Sequence, residues 1–384
     1  MAQNLTIALV AGELSGDRLG AELISAVRNR YPDATFVGIG GPAMQQQGLE
    51  SWYPMELLSV MGFGEVIRRL PQLWRLRREL EARLQLLKPD LFIGIDAPDF
   101  NFHVERRMKA VGVPVVHYVG PSVWAWREKR LHKIRRFVDG VLLLFPFEPP
   151  IYERYVIPAA FVGHPLARLI PMEPDRVGAR QRLGFAADQS VTALLPGSRQ
   201  GEVERMFPTY MEAVPLLREV YPTMQFVVPA ASNALAGWMQ SQLAQWGSGF
   251  PVEIVTGSGA AADCLQAADQ AVVFSGTATL EAALYKCPMI ITAKVHPLTY
   301  WIARRLVKAP WVGLPNVLAG QEVVPELIQD EARANRIAIK LGQLVLDQSR
   351  RRRQLAAFNN IHGQLRQPSG ARAVAAMQAW GVLP

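Results

Sequence analysis

Residues 6–17 read TIALVAGELSGD, and residues 192–202 read TALLPGSRQGE. Each passes from an apolar, strand-like run through a tight turn of Gly and Ser into a helix with acid in its first turn. That is how a βαβ unit opens. Met once in each half of the chain, it predicts an α/β protein of two Rossmann-like, doubly wound parallel-sheet domains. The functional loops of such domains lie at the carboxyl ends of the strands.

Working outward, apolar β-branched runs alternate with helix-like spans. Strands are predicted near 5–11, 35–39, 91–95, 114–118, 141–145 and 160–162, then near 191–195, 225–229, 252–256, 271–274 and 289–292. Between the two sets, FPFEPPIYERYVIPAAFVGHPL (145–166) is rich in proline and poor in periodicity, as befits a crossing between domains. The expected domains are 1–165 and 166–384, with the last helices able to pack back on the first. A chain of 384 residues is too long for one ordinary core.

Half of the residues are hydrophobic and 19% are charged, so burial is not limiting. Cys264 and Cys287 form no CxxC and no metal spacing, which fits a reducing cytosol. Cys287, just before an apolar run, reads as a packed small hydrophobe. The opening segment does not read as a signal peptide, and no window has the ~18 apolar residues of a membrane span. Residues 65–136 hold 16 Lys/Arg against 8 Asp/Glu, which accounts for the whole net charge of +8. Such a zone calls for an anionic partner. Without a nucleic-acid module beside it, lipid or a phosphate ester is expected rather than nucleic acid.

Four stretches can carry chemistry. In LPGSRQGEVER, Gly197, Ser198 and Arg199 lie between a strand and a helix: an ordinary βα turn, or an anion site with a forked guanidinium. VVFSGTATLEAAL repeats the grammar with Ser275, Gly276, Thr277 and Thr279, then Glu281. Small hydroxyl residues there can simply cap the helix; two such loops together favour a nucleotide diphosphate, with Glu281 on the ribose. In GIDAPDFNF, Asp96 or Asp99 can cap the next helix, and Asp96 is the candidate general base. GIGGPA (38–43) fits a weak dinucleotide pattern, but Pro42 at a first helical position explains it structurally. There is no D-x-D triplet and the six histidines are scattered, so no metal is expected.

LLSVMGFGEVIRRLPQLWRLRREL (57–80) puts Val66, Ile67, Leu70, Leu73 and Trp74 on one helical face, interleaved with Arg68 and Arg69, with Met61 and Phe63 in a loop-like flank. Gly62, Gly64 and Pro71 are expected to interrupt the helix. The segment is either a membrane-contact surface or a surface helix with its apolar side in the core.

Taken together, VAGELSGD, WYPMELLSVMGFGEV, GIDAPDFNF, HYVGPSVWAWR, FVGHPL, LLPGSRQGEVE, SGTATLEAAL and LVKAPWVGLPNVLAGQEVVPEL resemble the lipid A disaccharide synthase family of Gram-negative bacteria. They run in order from residue 10 to about 327. The one departure is Gly120 where the family pattern has serine. The resemblance implies a GT-B fold and an inverting transfer from UDP-2,3-diacylglucosamine to the 6-hydroxyl of 2,3-diacylglucosamine 1-phosphate (lipid X), without a cofactor. It places Asn316 in the donor-site stretch and puts Glu13, Ser15 and Asp17 on the acceptor side, with Asp99 and Arg127 as further candidates there. It implies a cytoplasmic protein, peripheral on the anionic inner face of the inner membrane, and leaves a homodimer open. The rivals are another UDP-sugar transferase of the MurG kind with a lipid-linked acceptor, an NAD-dependent oxidoreductase using GIGGPA, and a membrane-surface lipid carrier.

Overall fold

A computed structural model describes residues 5–58, 63–247, 249–296, 300, 301 and 309–384, with backbone alone over 63–70. The chain divides into two compact units. One holds residues up to Arg168 together with Gln364–Pro384; the other is Leu169–Gly363.

In the first unit the strands are β1 (Thr6–Ala11), β2 (Thr35–Ile39), β3 (Leu49–Ser51), β4 (Leu91–Ile95), β5 (Val115–Tyr118), β6 (Gly140–Leu143) and β7 (Ala159–Phe161). They form one sheet in the order β3-β2-β1-β4-β5-β6-β7. Every pairing is parallel, with Ile7 opposite Leu91 and Phe92 opposite Val115. Successive side chains of β1 go to opposite faces, as the pleat requires. Ile7, Leu9 and Ala11 join the core under helix Leu14–Arg30, while Ala8 and Val10 join the core under helices Phe63–Leu87 and Pro98–Ala110. A strand covered on both faces must be apolar throughout, which is why these strands read as unbroken runs.

The C-terminal helix Ser369–Ala379 closes this unit against Leu14–Arg30. Small residues allow the approach. A Cβ on Gly370 would come 2.6 Å from the Glu22 carbonyl oxygen, and Ala373, Val374 and Met377 are buried in the same core as Leu23 and Val27.

The second unit repeats the plan with β8 (Val191–Leu195), β9 (Gln225–Pro229), β10 (Val252–Val255), β11 (Gln270–Phe274), β12 (Met289–Ala293) and β13 (Glu326–Ile328). Their order is β10-β9-β8-β11-β12-β13, again all parallel. In both units the first strand has the second on one side and the fourth on the other. The order therefore reverses at β1/β4 and at β8/β11, and loops leaving those strands splay apart into a crevice.

Two strands, β3 and β13, escaped the sequence reading. Each has three residues with a polar side chain among them (Leu49–Ser51 and Glu326–Ile328), whereas β7, equally short and at an edge, is wholly apolar. Both cysteines are buried in the second unit's core, and burial raises both thiols, Cys287 to about 12. The expectation that Gly64 and Pro71 interrupt the helix, with Phe63 in a loop-like flank, needs correcting: Phe63–Leu87 is one helix that includes all three, and Gly62 lies outside the described residues. Proline costs a helix one hydrogen bond and a clash with the preceding turn, about 3 kcal/mol. Burial of Leu76, Leu80 and Leu84 along one face offsets that. Among the described residues, no helix is long and apolar enough to cross a membrane.

Candidate functional site

The second unit has a pocket of about 570 Å³ at its switch point, a volume suited to a nucleotide-sized ligand. Its floor is the pair of loops leaving β8 and β11, and its walls are the loops after β9 and β10. Of the residues read from sequence, Gly197, Ser198, Arg199, Ser275, Gly276, Thr277 and Glu281 line it.

Gly197 has φ +125°, and a Cβ there would lie 2.6 Å from the Glu202 Cβ, so this turn is closed to other residues. Glu202, one turn into the helix, accepts from the Ser198 and Arg199 amides at 3.1 and 3.2 Å. Those amides are thus already engaged, and the Arg199 side chain adds a cation at this loop. It is 86% exposed and pairs with the Glu202 carboxylate at 3.2 Å. Ser275 Oγ donates to the Val312 carbonyl at 2.8 Å, holding the β11 loop. Burial raises the Glu281 carboxyl above the ordinary glutamate value.

Two residues assigned to this site by sequence do not line it. Thr279 is fully buried and its hydroxyl donates to the Gly276 carbonyl at 2.8 Å, a local bond that turns it away from the pocket. Asn316 is also fully buried, with all of its amide in use. Nδ2 donates to the Val324 carbonyl and to Glu326, and Oδ1 accepts from Val323 and Val324 amides, all within 2.9 Å. It braces the turn before β13 rather than facing a ligand. The wall residues Gly257, Gly259 and Ala260 were missed. Their signal was present, since TGSGAA after β10 has the same strand, glycine turn and helix grammar.

In the first unit, Glu13 and Asp96 follow the two strands at the switch point. Gly12 lets the loops meet: a Cβ on it would lie 3.2 Å from that of Ala97. Glu13 takes up a proton more readily than an ordinary glutamate, first through burial and then through the Asp96 charge. Asp96 and Ala97 are successive left-handed residues at φ +54° and +42°, although neither is glycine. Such positions cost about 1–3 kcal/mol each and persist where surrounding contacts dictate them. Here the Asp96 amide donates to the Tyr118 carbonyl at 2.8 Å.

The other acceptor-side candidates scatter. Ser15 is exposed on the first turn of its helix. Asp99 is wholly exposed, 3.5 Å from Arg130. Arg127 is exposed and stacks its guanidinium 4.0 Å over the Trp126 ring. Asp17 belongs elsewhere. It is 2% exposed, and its carboxylate accepts the Gly41, Ala43 and Met44 amides at 2.9–3.0 Å. It caps helix Pro42–Gln46, so GIGGPA already has an anion where a dinucleotide phosphate would sit. Gly120 also has a packing reason, since a Cβ would come 2.3 Å from the Tyr152 hydroxyl oxygen.

Of the membrane-contact residues, Met61 lies outside the described residues, as do the side chains of Phe63, Val66, Ile67, Arg68, Arg69 and Leu70. Leu73 is half-buried; Trp74 is 53% exposed, with Arg77 and Arg78 over its ring at 5.2 and 5.8 Å.

A sequence profile described as lipid-A-disaccharide synthetase matches residues 7–379. A lipid-A-disaccharide synthase from Hydrogenovibrio crunogenus is 50% identical over 98% of this chain and 99% of its own length. One from Erwinia tasmaniensis is 47% identical over 97% of both chains, and one from Pseudomonas aeruginosa 48% over 98% of both. Among solved structures, Staphylococcus aureus MnaA with UDP superposes with a TM-score of 0.66 at 13% identity, over 98% of this chain and 97% of its own. UDP-GlcNAc 2-epimerase from Neisseria meningitidis, bound to UDP-GlcNAc, gives 0.64 at 12%, over 98% and 99%. At such identities the likeness is one of fold, and the fold is GT-B.

Proposed function

The chain belongs to the lipid-A-disaccharide synthetase family, and on that premise we propose that it transfers 2,3-diacylglucosamine from UDP-2,3-diacylglucosamine to the 6-hydroxyl of lipid X. The products are the β-1,6-linked disaccharide 1-phosphate and UDP. The observation that carries this reading, beside family membership, is the pocket at β8/β11. It has a nucleotide's volume, an exposed arginine and a partly buried carboxyl group.

The donor is α-linked and the product β-linked, so one in-line displacement suffices. The acceptor oxygen bonds to the anomeric carbon as the bond to UDP breaks, and the hydroxyl proton passes to Asp96. Negative charge grows on the departing diphosphate, where Arg199 and the Ser275–Thr277 turn oppose it. Glu281 would hold the ribose hydroxyls. Glu13 and Ser15 would face the acceptor, with Asp99 and Arg127 at its outer edge.

The test is UDP release from the donor with lipid X, set beside a lipid-linked muropeptide. Release with lipid X alone is expected; preference for the muropeptide would move the enzyme to the MurG-like class.

Both substrates carry acyl chains, so the protein must draw them from a bilayer. The basic helix Phe63–Leu87, with Trp74 exposed among arginines, suits an anionic membrane face. Changing Val66, Ile67, Leu70 and Leu73 together to serine should release the protein from anionic vesicles in sedimentation. Unchanged sedimentation would count against peripheral attachment through this segment.

A further inference from the structure

Helix Pro98–Ala110 presents Asn101 and Glu105, one turn apart, to the ends of β1, β4 and β5. Both are fully buried, as is His117 on β5. The Asn101 amide nitrogen lies 2.8 Å from the Asp96 carbonyl oxygen, 3.3 Å from that of Ile95 and 3.2 Å from that of Val10. One side chain therefore ties together the last carbonyl of β4, the left-handed residue after it and the end of the neighbouring strand. Glu105 Oε1 stands 2.6 Å from His117 Nδ1, and the Phe102 ring packs on the imidazole at 4.8 Å. Gly94 makes the fit possible, because a Cβ on it would lie 2.2 Å from Glu105 Oε1 and 3.0 Å from the Asn101 Cβ.

This arrangement is a costly way to fill a core. Asn101 Oδ1, Glu105 Oε2 and His117 Nε2 are buried without a hydrogen-bond partner among the described residues. Groups left so carry a desolvation penalty that leucine or methionine would not. Capping does not account for the trio either. The helix starts at a left-handed Ala97 with no side-chain cap, and the Asn101 amide reaches carbonyls of the strands rather than free N–H groups of the helix.

We propose that Asn101 is a positioning residue for the reaction, holding the strained Asp96–Ala97 turn so that the Asp96 carboxylate keeps its direction. The Glu105–His117 pair locks the helix that carries Asn101 onto β4 and β5. This inference rests on the reading of Asp96 as general base. Asn101 touches no substrate, so its effect must pass through Asp96. A base displaced by even one ångström loses much of its advantage.

The experiment is a double-mutant cycle on UDP release by the full chain, with Asn101→Ala and Asp96→Asn alone and combined. Asn101→Ala should lower kcat roughly 10- to 100-fold with the donor KM within about twofold. In the Asp96→Asn background the same change should alter kcat by less than about twofold, because the group being positioned is already gone. Equal losses in both backgrounds would overturn the positioning role while leaving the base assignment standing. Near-normal turnover of Asp96→Asn alone would remove the base assignment, and the positioning role with it. If Asn101→Ala does not fold, Asn101→Ser keeps one donor and should give a smaller loss with the same dependence on Asp96.

Discussion

Asp96→Asn is expected to lower kcat by about 10²- to 10⁴-fold, the usual worth of a positioned base, while UDP binds the protein as before. Asparagine is the informative replacement. It has nearly the same shape and, like aspartate, tolerates the left-handed region that residue 96 occupies at φ +54°. Alanine would remove the base and also burden the backbone, mixing two effects. The donor pocket lies wholly in the other unit, so calorimetric UDP affinity should not move. Turnover within a few-fold of the original, at unchanged donor affinity, would take the base role from Asp96. Glu13, the other carboxylate at that switch point, would then be the next group to replace.

The second large effect is expected at Arg199. Its guanidinium is 86% exposed and paired with Glu202, so it contributes little to the fold; exposed pairs of this kind are worth about 0–1 kcal/mol. On the proposed mechanism it would face charge building on the leaving diphosphate. Removing one such donor costs about 10²- to 10³-fold in kcat. Arg199→Ala should therefore lose turnover in that range with a melting temperature close to that of the parent. Arg199→Lys should recover part of the loss, because lysine supplies the charge but not the two-pronged fit to phosphate oxygens. If kcat stays intact and only donor KM rises, the arginine binds the donor in its ground state and is no part of leaving-group stabilisation.

The interior strands were legible in sequence because each is covered on both faces and must be apolar throughout. The edge strands β3 and β13 were not, since their three residues, Leu49–Ser51 and Glu326–Ile328, mix polar with apolar side chains, whereas the equally short edge strand β7 is wholly apolar and was legible. Loop residues divided in the same way. Gly197 and Gly276 could be placed at strand ends from the alternation alone, and they do line the pocket. Asp17, Thr279 and Asn316 looked no different in sequence from ligand-binding polar residues. What separates them is the direction of one side chain: Asp17 turns to the amides of Pro42–Gln46, Thr279 to the Gly276 carbonyl and Asn316 to the turn before β13.

From TIALVAGELSGD and TALLPGSRQGE, then, the sequence alone determined two parallel-sheet units and the strand ends where polar loops would gather. Local periodicity and turn chemistry suffice for that, because they act within a few residues. Only the tertiary structure decided which polar groups at those ends remain available to a ligand. Asn101 reaches carbonyls at the ends of two strands and one in the turn beyond, and Asp17 takes three amides some two dozen residues away. Hydrogen-bond partners of that kind are set by how strands pair and helices dock, and no local pattern in the chain carries them.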